Sequence, residues 1–377
     1  MLKVGIIGTG VIFDLHVLGY LNNEDVEVTC LCDKSIEKTK EKIEKFNLHK
    51  DTQTYSDYKE MIDKQKLDII EILLPHHLHA ETVVYAAEKG VKIISVQKPM
   101  ALSLEEADIM IEACKKSGSV LSIYENFLFD PHYVKAKELI DSDYIGDPSS
   151  IRIKTAMAGK GGWMVPNDAK KWREDPKMMG GADSGSPVLL DNAWHSFALA
   201  AWIFDEKIEK VFAWAGNYNG MDAPAYVMFK YEQNQEHLIP QYGNMEFSLM
   251  PEMEIPSYYY PTDEFIEIVA SRGIMKINQG TSIGNPMSNS DIFAPIIIIR
   301  DGKVEIYNEF EKDWKQSFIN STNHLIEVAK GNKEPILSGE QAKYVLRFNL
   351  AAIRSSELGN EILMEDFPKK IKDHIDT

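Results

Sequence analysis

The sequence predicts an α/β protein, with a doubly wound parallel sheet at the N-terminus and an α+β domain on a large, open, mostly antiparallel sheet after it. Three observations predict this. Strand and helix signals alternate over about the first 120 residues, the pattern of a parallel sheet covered on both faces. After Asn126 strand-like runs follow one another with few helices between them. At 377 residues the chain is also too long for one ordinary core, so two domains are expected, 1–125 and 126–377.

The first half reads element by element. "LKVGIIG" is a short strand of the buried type, and a helix from about Val11 to Leu21 follows it. "VEVTCLC" is the second strand and ends at Asp33. Ser35 caps a helix running to Phe46, and Ser56 opens another short one. "LDIIEILLP" is a strand stopped by Pro75. Ala80, Val83, Val84 and Ala87 then recur at helical spacing, with Gly90 where the chain leaves the helix. "VKIISV" is a strand. "SLEE", Ser103 to Glu106, is a capping box for a helix with Ala107, Met110, Ile111 and Cys114 on its buried stripe. "SVLSIY" is the last strand of the first domain.

The second half begins with a helix from Pro131 to Ile140, then "SSIRIKTAM", alternating as a half-buried strand does. "IEKVFAWA", "AYVMFKY", "HLIPQY", "MEFSLM", "EFIEIVA", "IMKI", "PIIIIR" and "KVEIY" are further strand candidates, several joined by turns such as "SRG" and "RDGK". "SYYYP" at Tyr258 reads as strand and sheet surface. Helices over about Asp313 to Lys330 and from "SGEQ" to Gly359 close the chain. With those near 131–140 and 186–203, these helices can cover one face of the second sheet. The other face would be a large apolar patch, which monomers rarely expose. A homodimer or homotetramer built through residues after 150, with the N-terminal domains outermost, is therefore expected.

Composition narrows the function. The net charge of −17 argues against general nucleic-acid or anionic-membrane binding. An anionic ligand must then be held by a local device such as a helix N-terminus. The three cysteines, Cys30, Cys32 and Cys114, form no CxxC pair. A disulfide framework or zinc knuckle is not expected, and a reducing compartment is favoured. No apolar run nears the ~20 residues of a membrane span. The first strand starts at residue 2 with no signal peptide before it, and the expected location is cytoplasmic.

Gly8-Thr9-Gly10 follows a strand and opens a helix, the setting in which backbone approaches a pyrophosphate closely. Val11 and Ile12 continue the turn, and Phe13 stands where a third glycine is usual. Asp33, at the end of the second strand, suits an acceptor for adenosine ribose hydroxyls and would repel a 2′-phosphate. This favours NAD, while Lys34 beside it leaves NADP open. His76, His77 and His79 form a cluster. Lacking a matching cysteine or carboxylate set, they read as the loop and first helical turn beside a cofactor rather than as metal ligands.

"GIIGTG", "LLPHHLHAETVVYAAEKGVKIISVQKPMALSLEEADIMI" and "KAKELIDSDYIGDPSSIRI" together resemble the glucose–fructose oxidoreductase, inositol dehydrogenase and MocA family. So do "KKWREDPKMMGGADSG" and "LLDNAWHSFALAAWIF". The resemblance runs from Val4 to about Leu358. It implies an N-terminal Rossmann domain, a C-terminal domain whose open sheet serves assembly, and hydride transfer between a sugar, glycoside or polyol hydroxyl and NAD(H) or NADP(H). Leu74, Pro75, His76 and His79 would then lie along the cofactor. The family's Glu-Lys-Pro motif falls on Gln97, Lys98 and Pro99, and its Asp-x-x-x-His pair on Asp191 and His195. Gln97 replaces an acid that commonly approaches the nicotinamide ribose. Leu128 and Phe129 fill a region where many members carry a basic residue.

Alcohol oxidation needs a base for the hydroxyl proton, and His195 suits that role. Asp191, four residues earlier on one expected helix, would orient it or hold a neighbouring hydroxyl. Lys98 ends a strand at the carboxyl edge of the sheet and would stabilise alkoxide character. Trp163, Trp172 and Arg173 lie in a Gly-rich insert suited to a loop over a sugar, with Asn126 and Asn192 as further substrate contacts. An NAD-dependent glycoside hydrolase or lyase working by transient oxidation is the alternative, and a non-enzymatic NAD-binding regulator a third. Retention of Lys98, Asp191 and His195 together argues against the regulator.

Overall fold

The structure is a computed structural model. It describes residues 1–21, 23–163, 175, 178, 187–234, 237, 239–279 and 294–368. The chain divides into two compact units, Met1–Phe129 with Lys315–Leu346, and Asp130–Trp314 with Arg347–Thr377. Each is described on its own.

The first unit holds a six-stranded parallel sheet. Its strands are β1 (Leu2–Ile7), β2 (Val26–Cys32), β3 (Gln53–Tyr55), β4 (Ile69–Ile72), β5 (Ile93–Gln97) and β6 (Val120–Tyr124). They lie in the order β3-β2-β1-β4-β5-β6, the doubly wound dinucleotide-binding order. The central strands are apolar on both faces because helices cover both. Val4, Ile6, Leu31 and Ile69 are buried in one core cluster with Phe13 and Val17. Strand β3 has no counterpart among the expected strands, since three residues are too short for a period to show.

The expected helix from Val11 to Leu21 is two short turns, α1 (Phe13–His16) and α2 (Leu18–Leu21). Helix α3 (Ile36–Lys45) is capped by Ser35, whose side chain accepts from the Lys38 N–H. Helix α4 (Tyr58–Lys64) is capped by Asp57, not Ser56. Helices α5 (His79–Glu88) and α6 (Leu104–Ser117) follow. The α6 cap is the expected one: Ser103 accepts from the Glu106 N–H, while Glu106 reaches back to the Leu102 N–H.

The second unit holds α7 (Pro131–Asp141), α8 (Trp194–Ile203) and a nine-stranded mixed sheet. Its strands are β7 (Pro148–Lys160), β8 (Ile208–Ala215), β9 (Ala225–Tyr231), β10 (Tyr242–Glu254), β11 (Thr262–Ala270), β12 (Gly273–Gln279), β13 (Ile296–Arg300), β14 (Lys303–Tyr307) and β15 (Ile362–Leu363). All pairings are antiparallel except β10 with β7. Of the described residues of "HLIPQY" only Tyr242 is in a strand, as the first residue of β10, just after Pro240 and Gln241. "SYYYP" is a loop rather than sheet surface, held off the ladder by Pro256 and Pro261. Its Tyr259 is buried and donates to Asp313 (2.7 Å).

The last helices, α9 (Lys315–Ala329) and α10 (Gly339–Leu358), depart from the expected plan. α9 does not cover the second sheet. Its Leu325, Ile326 and Val328 belong to the core around β1 and Phe13. Nothing local to 315–329 signals that return, because an amphipathic stripe does not name its partner. α10 starts in the first unit and ends in the second. There Phe348 meets Phe197 and Phe229, at ring-centroid distances of 4.7 and 5.2 Å. Among the described residues no helix is long and apolar enough to cross a membrane.

Candidate active site

In the first unit the site begins at the β1–α1 turn. Gly8 has φ +97°, and a Cβ there would sit 2.4 Å from the Leu73 carbonyl oxygen, so only glycine fits. A Cβ on Gly10 would meet nothing within 4 Å. The chain thus leaves open space beside Gly10, where a pyrophosphate would approach the backbone. Val11 is exposed and Ile12 half-buried. Phe13 is fully buried, edge-on to Phe46 at 5.9 Å. The third position of the turn is therefore spent on packing α1 against α3.

Asp33 ties this turn to the end of β2. One carboxylate oxygen accepts from the Thr9 N–H (2.9 Å) and hydroxyl (3.0 Å); the other accepts from the Ser35 N–H (3.0 Å). The oxygen facing Ser35 keeps a lone-pair site for a ribose hydroxyl, whereas the one facing Thr9 already accepts twice. Asp33→Ser should weaken NAD binding and narrow the gap to NADP, since it removes an acceptor and a repulsive charge together. Fluorescence titration with both cofactors checks this; an unchanged NAD:NADP affinity ratio would contradict it.

At the end of β4, Leu74 and Pro75 are half-buried. His79, at the start of α5, is fully buried. Its Nε2 faces the Leu74 carbonyl (2.9 Å) and its Nδ1 the Pro99 carbonyl (3.0 Å). Burial pushes its pKa down to about 4, so the ring is neutral and one nitrogen donates at a time. Both nitrogens are thus turned to the chain's own backbone, and His79 staples the β4 and β5 loop ends together. His76 is buried too, edge-on to His79 at 5.6 Å.

Gln97 ends β5 and Lys98 follows, both half-buried. The Gln97 Oε1 accepts from the Lys98 N–H (2.7 Å), and its Nε2 lies 2.9 Å from His16 Nε2. His16 Nδ1 is 2.7 Å from Glu71 Oε1, with both side chains fully buried. His16 and Glu71 are not among the residues that the sequence singles out. One signal was present: an acid inside the apolar run "IIEILL" must find a partner when its strand is buried on both faces. Asn126, expected at the substrate, is buried and donates to the Ser317 hydroxyl (2.9 Å). Leu128 is buried beside it in the same turn.

In the second unit Asp191 and Asn192 end a π-helical turn, Pro187–Asn192, and His195 is the second residue of α8. The two therefore do not share one continuous α-helix. The Ala193 N–H bonds five residues back to the Val188 carbonyl (2.7 Å), and such wide turns recur at functional sites. Asp222 clamps the turn by accepting from the Val188 and Leu189 N–H groups (2.8 and 3.0 Å). Asn349 donates to the Leu189 carbonyl (2.6 Å). Asp191 is buried and His195 half-buried. Trp163 packs edge-on to Tyr259 at 5.3 Å. Trp172 and Arg173 lie outside the described residues.

Comparison with known proteins agrees with this geometry. Residues 2–125 match the oxidoreductase family with an NAD-binding Rossmann fold, and residues 133–242 match the GFO/IDH/MocA C-terminal domain. The myo-inositol 2-dehydrogenase of Thermotoga maritima is 24% identical over 97% of this chain and 99% of its own. An oxidoreductase from Agrobacterium radiobacter, solved with NAD+, L-tartaric acid and magnesium, superposes with a TM-score of 0.77. It is 17% identical and covers 97% of this chain and 98% of its own. The myo-inositol 2-dehydrogenase of Lactobacillus plantarum gives 0.73 at 18% identity, covering 96% and 99%. With these two segments matched, the chain belongs to the GFO/IDH/MocA family of oxidoreductases with an NAD-binding Rossmann fold.

Proposed function

We propose that the protein oxidises a secondary hydroxyl of a cyclic polyol, sugar or glycoside, with Lys98, Asp191 and His195 as its catalytic residues. The observation that carries this reading is Lys98 at the carboxyl edge of β5 in a parallel, NAD-binding sheet. The full-length likeness to a myo-inositol 2-dehydrogenase supports the substrate class. When bound, the nicotinamide ring supplies the hydride acceptor. His195 takes the hydroxyl proton. Lys98 places a positive charge where the substrate oxygen becomes alkoxide-like. Asp191 orients His195 or holds the neighbouring hydroxyl. A screen of NAD reduction across aldoses, inositols, sugar acids and glycosides tests the reading. A member of these classes should turn over with NADH appearing in the near-ultraviolet, and a blank across all four would overturn it.

We also propose that a second copy of the chain covers the outer face of the second sheet. On β8 and β9, Trp214 pairs with Tyr226 and Phe212 with Met228. Trp214, Tyr226 and Met228 are each 44–56% exposed, a compact apolar block suited to a symmetric interface. Light scattering should find a dimer or tetramer, and Trp214→Glu with Met228→Glu should lower its mass toward one chain. A parent particle of single-chain mass, about 43 kDa, would rule it out.

A further inference from the structure

The polar chain behind Lys98 has a direction that the atoms themselves fix. A backbone N–H only donates, so the Gln97 atom facing the Lys98 N–H at 2.7 Å is the carbonyl oxygen. The NH2 group then faces His16 Nε2 at 2.9 Å. It too only donates, so Nε2 must carry the lone pair. The ring proton is therefore on Nδ1, which donates to Glu71 Oε1 at 2.7 Å. Every donor in the series meets an acceptor: Gln97 to His16, His16 to Glu71.

The chain has little freedom to rearrange. His16 and Glu71 are fully buried. The His16 ring lies against Tyr124, tilted by 37° with centroids 3.9 Å apart, and Phe318 of α9 stands edge-on at 5.3 Å. Turning the Gln97 amide over would point its NH2 at the Lys98 N–H, donor against donor. Its oxygen would face the His16 lone pair, acceptor against acceptor. Only one orientation of Gln97 agrees with a His16 protonated on Nδ1.

We propose that His16, held by Glu71, is a positioning residue for Lys98: it fixes the Gln97 amide in the orientation that receives the Lys98 N–H, and so fixes the end of β5 from which the lysine acts. His16 ends α1, the turn that follows the Gly8–Gly10 cradle. The same chain thereby ties the nucleotide turn to the lysine. The inference rests on Lys98 being the charge-stabilising group of the reaction.

Reversing the chain tests it. In Gln97→Glu a carboxylate faces Nε2 and needs a proton there, while Glu71 still needs the one on Nδ1. Either the ring then holds both, as a buried cation between two anions, or one carboxyl takes up a proton; the parent's neutral, one-way chain is lost in each case. In the double variant Gln97→Glu with Glu71→Gln, the carboxylate at position 97 accepts from Nε2–H and the amide at position 71 donates to Nδ1. All bonds are restored in the opposite direction.

Turnover at saturating NAD should fall about tenfold or more in Gln97→Glu, the scale of a misplaced catalytic group. It should return to within about threefold of the parent in the double variant, which leaves only the low end of the coupling seen between neighbouring residues. Selective 15N-histidine NMR should find His16 protonated on Nδ1 in the parent and on Nε2 in the double variant. Parental turnover in Gln97→Glu would overturn the proposal, as would an Nε2–H tautomer in the unmodified protein; the NMR result needs no variant to fold. A Lys98→Met enzyme with parental turnover would instead sink the assignment of the lysine itself, whatever the His16 tautomer.

Discussion

Lys98→Met should lower turnover by about two orders of magnitude or more, the usual size of a lost charge-stabilising group, with NAD affinity little changed. Methionine keeps most of the stem and removes only the ammonium. The β5 ladder to β6 ends at Gln97 with Tyr124, so the substitution falls just beyond the paired strand and spares the sheet. His195→Ala should cost a similar factor, for loss of the base. It also should leave folding intact, because His195 is half-buried while the interior of α8 is filled by Trp194, Phe197 and Leu199. Steady-state kinetics beside a cofactor titration separates the two effects. Parental turnover in His195→Ala on the true substrate would mean that another group takes the proton.

Two glycines two residues apart should fail in different ways. Gly8→Ala places a methyl 2.4 Å from a backbone oxygen at φ +97°. Strain and clash together should cost about 2–4 kcal/mol of stability, and NAD binding should fall with the turn. Gly10→Ala meets nothing in the chain. Its stability should stay within about 1 kcal/mol of the parent, the cost range of an unstrained substitution. Its NAD affinity should still drop, because the new methyl occupies the space left for the pyrophosphate. Thermal melts with and without NAD distinguish the two. Equal loss of stability in both variants would contradict this account of the turn.

The contrast shows what a sequence can carry. Gly8, Asp33 and Lys98 were legible because each ends or follows a strand in a repeating pattern, and that pattern alone sets them on one edge of the sheet. The Glu71–His16–Gln97 chain was not legible. Residues 16, 71 and 97 meet only once the strand order is known, and no local period encodes it. The π-helical turn under Asp191 escaped for another reason. It depends on clamps from Asp222 and Asn349, residues remote in sequence, while "PVLLDNAWHSF" by itself reads as ordinary helix. The placement of α9 was lost in the same way, since its apolar stripe fits either core. "SYYYP" misled because β-favouring tyrosines outweighed the two prolines that bracket them.

Net oxidation of a substrate hydroxyl, with Lys98 and His195 as the proposed catalytic residues, has a direct signature. Counting products against cofactor tests it most directly. With a substrate from the screen, the account predicts NADH formed in step with each molecule of ketone or lactone. Lys98→Met should lower both together, by the same factor. Consumption of a glycoside with a cleaved bond and no net NADH would contradict it, and would assign the same residues to hydrolysis or elimination through transient oxidation.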